Sequence, residues 1–235
     1  MIIHKLITWH LRHRDDQEFY LFQARDAIQW MERNGLALRP DAPVLDLGCG
    51  HGVFGAEFLK RGHPVTFADD HNSMLPAIPS GSFRPVNIDQ DDLAGLGRFD
   101  LVICSNVYEH LARPGKFLAA VGVLLRPGGW LYLSWTNWLS PWGGHEFSPF
   151  HYLGAARGHL IHDKLGRRAR MHTPYQNLFP TYIGATLKTL RQAPDLELVR
   201  VVPRYYPELA FLVGIPGVRE FLTWNCAVWA RQRPG

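Results

Sequence analysis

The segment 44–52, VLDLGCGHG, and two acidic residues downstream of it have the types and spacing to bind a nucleoside-like ligand. An apolar run that contains Asp46 ends in glycines, which adopt positive φ angles and let backbone N–H groups come close to a bound molecule. Asp69 and Asp70 follow at about the twenty-residue spacing at which an acid meets ribose hydroxyls. This pattern predicts a buried strand, a tight turn and a helix whose N-terminus faces a nucleotide-type ligand.

Two interpretations of the glycines imply different ligands. Residues 50–55, GHGVFG, match the dinucleotide fingerprint GxGxxG. In that fingerprint the first glycine closes the strand, a place that Gly48 already takes, and the carboxylate of Asp46 would repel a pyrophosphate. A ligand that carries an ammonium and a sulfonium would instead be attracted to Asp46. Segment 44–52 resembles motif I of the class I S-adenosylmethionine-dependent methyltransferases, apolar-apolar-Asp-x-Gly-x-Gly-x-Gly.

Two later segments share this resemblance. Residues 98–105, RFDLVICS, lead into Glu109-His110-Leu111 and are similar to the family's Phe-Asp-x-Val strand and Glu-His-Leu tripeptide. Residues 125–129, LRPGG, are similar to the turn before the family's fifth strand. The likeness is close from about residue 43 to residue 134 and loose in the C-terminal part.

The resemblance implies S-adenosyl-L-methionine as the cofactor and assigns its contacts. Asp69 matches the acid that binds both ribose hydroxyls, whereas Asp70 is either a cofactor contact or the start of a following turn or helix. Asp89 matches the acid at the adenine amino group, with Ile88 against the ring. The expected cofactor-binding residues are Asp46, Gly48, Cys49, Gly50, Asp69, Asp70, Ile88, Asp89 and Ser105.

Strands that alternate with helices predict an α/β fold. The resemblance implies a doubly wound, Rossmann-like sheet of seven strands, mostly parallel, with an antiparallel hairpin at the C-terminal edge, helices on both faces and a cap insertion. We expect one domain with a helical lid (1–36), a cofactor-binding core (43–136), an acceptor cap (137–180) and a C-terminal part (181–235). The expected helices cover 15–34, 53–60, 114–125 and 181–192, and the expected strands cover 44–47, 64–70, 83–89, 98–105, 130–134, 196–202 and 222–230. The first helix either covers the cofactor pocket or simply packs on the sheet.

The insertion 137–180 combines aromatic residues, glycines and histidines, and loops of this length are generally functional. Because it leaves the carboxyl end of the fifth strand, we expect it to cover the face where the methyl acceptor binds. Its rings would stack on a sugar or an aromatic acceptor, or else pack the cap onto the domain. The basic run between Arg157 and Arg170 would contact a phosphate or form a solvated face. The expected acceptor-binding residues are Trp138, Trp142, Glu146, Tyr152 and Arg168.

An alcohol acceptor is a poor nucleophile, so methyl transfer to it needs a base that removes the hydroxyl proton or a cation that binds the oxygen. His110, His145 and His151 are candidate bases, because imidazole pKa values lie near neutrality. His110 is equally consistent with a structural role at a helix start. Glu109 completes the expected catalytic set.

A metal-dependent alternative comes from the quinone-pathway O-methyltransferases of this fold, which carry a Glu-x-x-Glu-His site. Glu109 and His110 match its last two residues, whereas Asn106 replaces the first acid. Either Glu146 or His145 would complete a Mg²⁺ site that holds an acceptor diol. The other interpretation is a reaction without metal.

Composition limits the class of protein. The chain has 235 residues, 46% of them apolar, which is enough to bury one sizeable core. The formal net charge is +4, and the three cysteines do not form the pattern of a disulfide framework. The simplest compartment is a reducing cytoplasm. No signal peptide is expected, and charges and prolines interrupt the apolar stretch 209–229, so no membrane span is expected either.

The sequence as a whole favours methyl transfer to a hydroxyl of a small or carbohydrate-like acceptor, including a sugar or a phosphorylated compound. Transfer to nitrogen or carbon is the first alternative, and a non-catalytic binding module is the second. Nucleic acid is not expected, because residues 105–108, SNVY, lack the Asn/Asp-Pro-Pro-aromatic signature of exocyclic-amine methylases. The oligomeric state is left open.

Overall fold

The computed structural model describes residues 16–79, 82–165 and 171–233, and within them one seven-stranded sheet organises the chain. The strand order is β3-β2-β1-β4-β5-β7-β6. Strands β1 to β5 are parallel, and β7 is antiparallel to both β5 and β6. The predicted fold class is therefore confirmed. The strands are β1 Val44–Leu47, β2 Val65–Asp69, β3 Phe83–Pro85, β4 Phe99–Ser105, β5 Leu125–Thr136, β6 Leu196–Pro203 and β7 Asn225–Gln232.

Helices cover both faces of the sheet, because alternate strand residues point to opposite sides and both sides are apolar. Leu45 and Leu47 belong to one buried cluster, together with residues of α3 and α5. Val44 belongs to the other, together with residues of α1 and α2. The helices are α1 Asp16–Arg33, α2 Val53–Leu59, α3 Pro114–Ala120, α4 Ala155–Lys164, α5 Ile183–Gln192 and α6 Val218–Leu222.

The C-terminal half of helix α1 packs on the sheet. Ala24, Ala27, Ile28 and Met31 recur at helical spacing and are buried. The sequence predicts an apolar face of Phe19, Phe22, Ile28 and Met31, of which the last two are buried and the two phenylalanines are half-buried. Arg25 Nε lies 3.0 Å from Glu57 Oε2 and ties α1 to α2. Residues 1–15 of the predicted lid 1–36 lie outside the described residues.

Strand β3 is shorter than predicted and ends at Pro85 rather than at residue 89. Side chains take over the backbone groups that would continue the ladder: Asp91 Oδ2 accepts the N–H of Asn87 at 2.7 Å, and Asn87 Oδ1 accepts the N–H of Asp89 at 3.1 Å. Local side-chain bonds of this kind compete with strand pairing.

Strand β7 begins at Asn225, not at Leu222 as predicted, because the residues before it form α6. The carboxylate of Glu220 accepts the N–H groups of Ile183 and Gly184 at 2.9 and 2.8 Å. It therefore caps the N-terminus of α5, where the first N–H groups lack partners within the helix. Because Glu220 belongs to α6, these two hydrogen bonds hold α6 against α5 and so favour a helix over an earlier start of β7.

Within the described part of the chain, no helix is both long enough and apolar enough to cross a bilayer.

Candidate functional site

The turn after β1 requires glycine for two different reasons. Gly48 has φ 71°, and a Cβ there would lie 2.3 Å from Cγ2 of Val107, so both the backbone angle and the space exclude a side chain. Gly50 has φ 48°, but a Cβ there would meet no atom within 4 Å. The backbone of Gly50 therefore borders open space at the carboxyl edge of the sheet, where doubly wound folds bind ligands.

Asp69 ends β2 beside this turn, as predicted. Its Oδ2 accepts the N–H of Gly50 at 2.7 Å, and its Oδ1 accepts the N–H of Asp70 at 2.8 Å. Partial burial raises the pKa of Asp69. The carboxyl of Asp70 is exposed and lies 2.8 Å from Nδ1 of His71, the position of a turn residue and not of a helix start.

Asp46 lies under the turn and not at its surface. Its side chain is buried, and Oδ2 accepts the N–H of Gly55 at 2.8 Å. Burial raises the pKa of Asp46 to about 7. The sequence-based expectation that Asp46 faces a cationic ligand is corrected accordingly: the carboxyl positions the glycine turn and the first turn of α2.

We expect Asp46→Asn to stabilise the ligand-free protein at pH 8 but not at pH 4. The folded pKa lies above the ordinary value of 3.8, so the folded chain holds this proton more tightly, and stability is lost as pH rises through about 4 to 7. Asparagine keeps an acceptor for Gly55 without the charge, which predicts a gain of roughly 2–4 kcal/mol at pH 8. Thermal denaturation of both proteins at the two pH values measures the difference, and equal shifts at both would contradict the buried-carboxyl account.

The other predicted cofactor residues lie at the same edge. Both oxygens of Asp89 accept backbone N–H groups, from Ala112 and Arg113, at 2.8 Å each, so Asp89 ties the segment after β3 to the segment before α3. Ile88 packs against the core beside it. Burial raises the pKa of the Cys49 thiol, which makes this thiol a packing group and not a nucleophile.

A buried arginine at this edge was not anticipated from the sequence. Arg204 is 5% exposed, and its Nη1 donates to Asn106 Oδ1 at 3.1 Å and to Ser134 Oγ at 3.2 Å. Ser134 Oγ is also 3.2 Å from Oγ of Ser105, a predicted cofactor residue. Arg204 directly follows β6, which runs parallel to β5 and so ends at the same edge of the sheet. In the sequence, the position of Arg204 just after a predicted strand is the one feature that indicates its place at this edge.

Three imidazoles meet between this edge and the cap. His110 follows β4, whereas His145 and His172 belong to the cap. The ring centroid of His110 lies 5.3 Å from the ring centroid of His145 and 4.9 Å from that of His172. The ring centroids of His145 and His172 are 4.6 Å apart. Each residue offers one ligand atom within 4.8 Å of the others. We call these three residues the histidine cluster.

Neighbouring groups orient the cluster. Glu146 Oε1 lies 2.9 Å from Nδ1 of His172, and the carbonyl of Asn177 lies 2.7 Å from Nδ1 of His110. Although burial opposes it, the hydrogen bond with His172 lowers the pKa of Glu146 to about 2. The carboxylate of Glu146, predicted to bind the acceptor, thus contacts the imidazole of His172.

His145 is a poor general base. Burial, together with the nearby His110 and His172, lowers the pKa of His145 to about 3. An imidazole with this pKa stays neutral at pH 7 and holds a transferred proton weakly. The lowered pKa disfavours His145 as the base and leaves His110 as the stronger candidate, and both roles stay predictions.

Glu109 is structural in its visible contacts. The residue is 1% exposed, its Oε1 accepts the N–H of Thr136 at 2.8 Å, and its carbonyl accepts the N–H of Phe179 at 2.8 Å. Among the described residues, the histidine cluster is the group with metal-binding spacing, and neither Glu109 nor Glu146 joins it. The proposed Mg²⁺ site of Glu109, His110 and Glu146 therefore finds no support: Glu109 lies outside the cluster, Glu146 contacts Nδ1 of His172, and Mg²⁺ prefers oxygen ligands to imidazole nitrogens.

The cap has a small core of its own, which takes two predicted site residues. Trp138 packs with Phe147, Ala155 and Leu178 and is 4% exposed. His151 is 1% exposed, and its Nε2 lies 3.0 Å from the carbonyl of Ser140. Both side chains thus make packing contacts inside the cap, and the predicted binding role of Trp138 and catalytic role of His151 stay predictions.

Two other predicted aromatic residues remain accessible on the cap. Trp142 and Tyr152 are 45% and 47% exposed. The ring of Trp142 lies 4.9 Å from that of Trp224, and the ring of Tyr152 lies 4.1 Å from that of His151. Arg168, with Arg167 and Arg170, lies outside the described residues.

Known proteins are similar to this chain in sequence and in fold. The profile of a family described as "Methyltransferase domain" matches residues 20–201. An uncharacterized methyltransferase of Mycolicibacterium gilvum is 33% identical over 245 residues, covering 96% of this chain and 92% of that protein. The crystal structure of an S-adenosylmethionine-dependent methyltransferase from Mesorhizobium loti has a TM-score of 0.57 at 18% identity, covering 89% of this chain and 98% of that one. A Burkholderia thailandensis 1,6-didemethyltoxoflavin-N1-methyltransferase with bound S-adenosylhomocysteine has a TM-score of 0.52 at 21% identity, covering 98% and 86%.

The chain belongs to this methyltransferase-domain family and is an S-adenosylmethionine-dependent methyltransferase. The family predicted from the sequence is thereby confirmed. The site fits the cofactor: Gly50 brings main chain to open space beside Asp69, an acid at the tip of the second parallel strand.

Proposed function

We propose that the protein transfers a methyl group to a hydroxyl of a small, carbohydrate-like acceptor that binds under the cap. The observation that carries this proposal is the histidine cluster, which brings His110 from the sheet edge against His145 and His172 of the cap. S-adenosylmethionine supplies an electrophilic methyl group on a sulfonium. The chain has to hold this donor, align the acceptor in line with the methyl group and assist the hydroxyl.

Donor binding falls to the turn after β1 and the acids around it. Asp69 would accept the two ribose hydroxyls in charge-assisted hydrogen bonds. Gly50 allows the cofactor to approach the main chain, since a side chain there would fill the space. Asp89 and Ile88, in the segment after β3, would border the adenine.

Assistance to the hydroxyl falls to the histidine cluster. The carbonyl of Asn177 is 2.7 Å from Nδ1 of His110 and can only accept, so the neutral ring carries its proton on Nδ1. Nε2 of His110 is then the nitrogen with a lone pair toward an acceptor. A hydroxyl needs such help more than an amine does, which is why the cluster favours oxygen as the methylated atom.

The exposed surface of the cap favours a sugar or a sugar phosphate. Trp142 and Tyr152 present aromatic faces against which a sugar ring can pack. Arg157 and Lys164 are exposed on α4 and place positive charge on the same insertion. A phosphate on the acceptor would be drawn to this charge.

An acceptor screen with a donor labelled with ¹³C in the methyl group tests the proposal. Hydroxylated sugars and their phosphates form the first set, phenols the second and amines the third. The chemical shift of the transferred methyl carbon distinguishes O-methyl from N-methyl and C-methyl products. We expect O-methyl products, whereas turnover that yields N-methyl or C-methyl products alone would contradict the proposed hydroxyl acceptor.

We expect His110→Ala to lower kcat by about 100-fold or more while leaving the affinity for S-adenosylhomocysteine unchanged. The reason is that the side chain assists the acceptor and does not hold the cofactor. His159→Ala is the matched control, because the ring of His159 lies on α4 with Nδ1 2.9 Å from its own helix carbonyl at Ala155. Equal kcat in both variants would remove the histidine from the reaction and favour a nucleophile that needs no assistance.

A further inference from the structure

We propose that His110, His145 and His172 form a binding site for a divalent transition-metal ion of the zinc type. The site joins the sheet edge, through His110, to the cap, through the other two residues. Its donor set of three imidazole nitrogens is typical of zinc sites that keep a further position for an exogenous ligand.

The geometry needs only a small contraction. Ligand atoms of the three residues lie within 4.8 Å of one another. Zinc–nitrogen bonds of about 2.0–2.1 Å in a tetrahedral site put the nitrogens about 3.3 Å apart. Small rotations of half-buried side chains, moving each pair together by about 1.5 Å or less, reach that spacing.

Two of the rings are already oriented as metal ligands. The Glu146 carboxylate on Nδ1 of His172 makes the carboxylate–histidine pair that fixes the tautomer of a metal-binding imidazole. The carbonyl of Asn177 does the same for Nδ1 of His110. In both residues Nδ1 is thus occupied, which leaves Nε2 as the nitrogen that can bind a metal ion. The carboxylate of Glu146 also places a negative charge beside three neutral imidazoles.

His145 supplies an independent observation. Its Nδ1 is buried and has no hydrogen-bond partner within the described residues, and a buried polar atom is costly to leave unpaired. Its backbone has φ 48°, an uncommon angle for a residue with a side chain, and such angles concentrate at functional sites. A metal ion would satisfy this nitrogen and account for the backbone angle that aims the ring at its neighbours.

Nitrogen donors decide the class of ion. Imidazoles suit zinc, copper, nickel and iron, whereas magnesium and calcium take oxygen ligands. The next step rests on the proposed function: the remaining coordination position would take the oxygen of the hydroxyl acceptor. The cation, instead of an imidazole base, would then activate this hydroxyl by polarising it. Metal binding itself does not depend on that function, because the three imidazole ligands all belong to the chain.

Zn²⁺ titration of the intact, untagged, chelator-treated protein by calorimetry tests the site. We expect about one ion per chain to bind, with affinity falling at least about 100-fold in His145→Ala and His172→Ala and about 10-fold to 100-fold in Glu146→Gln. His159→Ala is the control and keeps the wild-type affinity, which matters because the chain has twelve histidines. With Co²⁺ as the probe, the wild type should show the visible absorption of a tetrahedral site and His145→Ala should lose it.

Binding of S-adenosylhomocysteine to the same metal-free samples reports on folding and on the cofactor site separately. A wild type that binds S-adenosylhomocysteine but takes up no Zn²⁺ would overturn the metal site and leave methyl transfer intact. Equal Zn²⁺ affinity in the wild type, His145→Ala and His172→Ala would overturn it too. Glu146→Gln, nearly identical in shape to the wild-type side chain, supplies the result if either alanine variant fails to fold.

Discussion

Gly48→Ala is expected to unfold the protein or to lower its free energy of unfolding by about 3 kcal/mol or more. The new Cβ would lie 2.3 and 2.8 Å from the two methyl carbons of Val107, and the residue would also have to keep φ 71°. Overpacking costs about 1–3 kcal/mol, and the left-handed angle adds about 1 kcal/mol. Chemical denaturation of the purified variant measures the loss.

Two further variants separate the clash from the backbone angle. Gly50→Ala is the matched control, because its φ is also positive but its Cβ would meet no atom within 4 Å, so we expect a cost near 1 kcal/mol. Val107→Ala in the Gly48→Ala background should recover part of the loss, which a double-mutant cycle detects as coupling. Equal stability of Gly48→Ala and Gly50→Ala would show that Val107 does not set the size limit.

Asp69→Ala is expected to weaken cofactor binding by about 100-fold or more. The variant loses the charge-assisted hydrogen bonds to the ribose hydroxyls, each worth about 1.5–3 kcal/mol. It also frees the N–H of Gly50, which Asp69 Oδ2 holds at 2.7 Å. Equilibrium dialysis with labelled S-adenosylmethionine measures the affinity.

The neighbouring acid provides the comparison for this loss. Asp70→Asn removes a carboxylate one residue away that is exposed and paired with His71, so we expect its affinity to stay close to that of the wild type. The reverse order, with Asp70→Asn the weaker binder, would assign the ribose to Asp70 and move the binding site by one residue.

The core of the fold could be predicted because its signals are local. The glycines after β1, the apolar strands and the apolar face of α1 each follow from a short stretch of chain with the period of its structure. The errors fall where a distant side chain decides. Asn87 and Asp91 end β3 early, and Glu220 binds the N-terminus of α5, which keeps α6 out of the last strand.

The site itself was predicted in part for the same reason. Strand ends place Asp69 and Gly50 beside each other, as the pattern implies. The burial of Asp46, Trp138 and His151 depends on the packing of the turn and the cap, which residue type does not reveal. The histidine cluster joins residues far apart in the sequence through a cap whose path no periodicity specifies.

Titration of the intact protein with S-adenosylhomocysteine by calorimetry is the most direct test of the central claim, that the turn after β1 and Asp69 hold an amino-acid nucleoside. NADH, titrated under the same conditions, represents the dinucleotide that the glycine pattern also matches. We predict saturable binding of about one S-adenosylhomocysteine per chain and no heat with NADH. Binding of NADH without binding of S-adenosylhomocysteine would contradict the account.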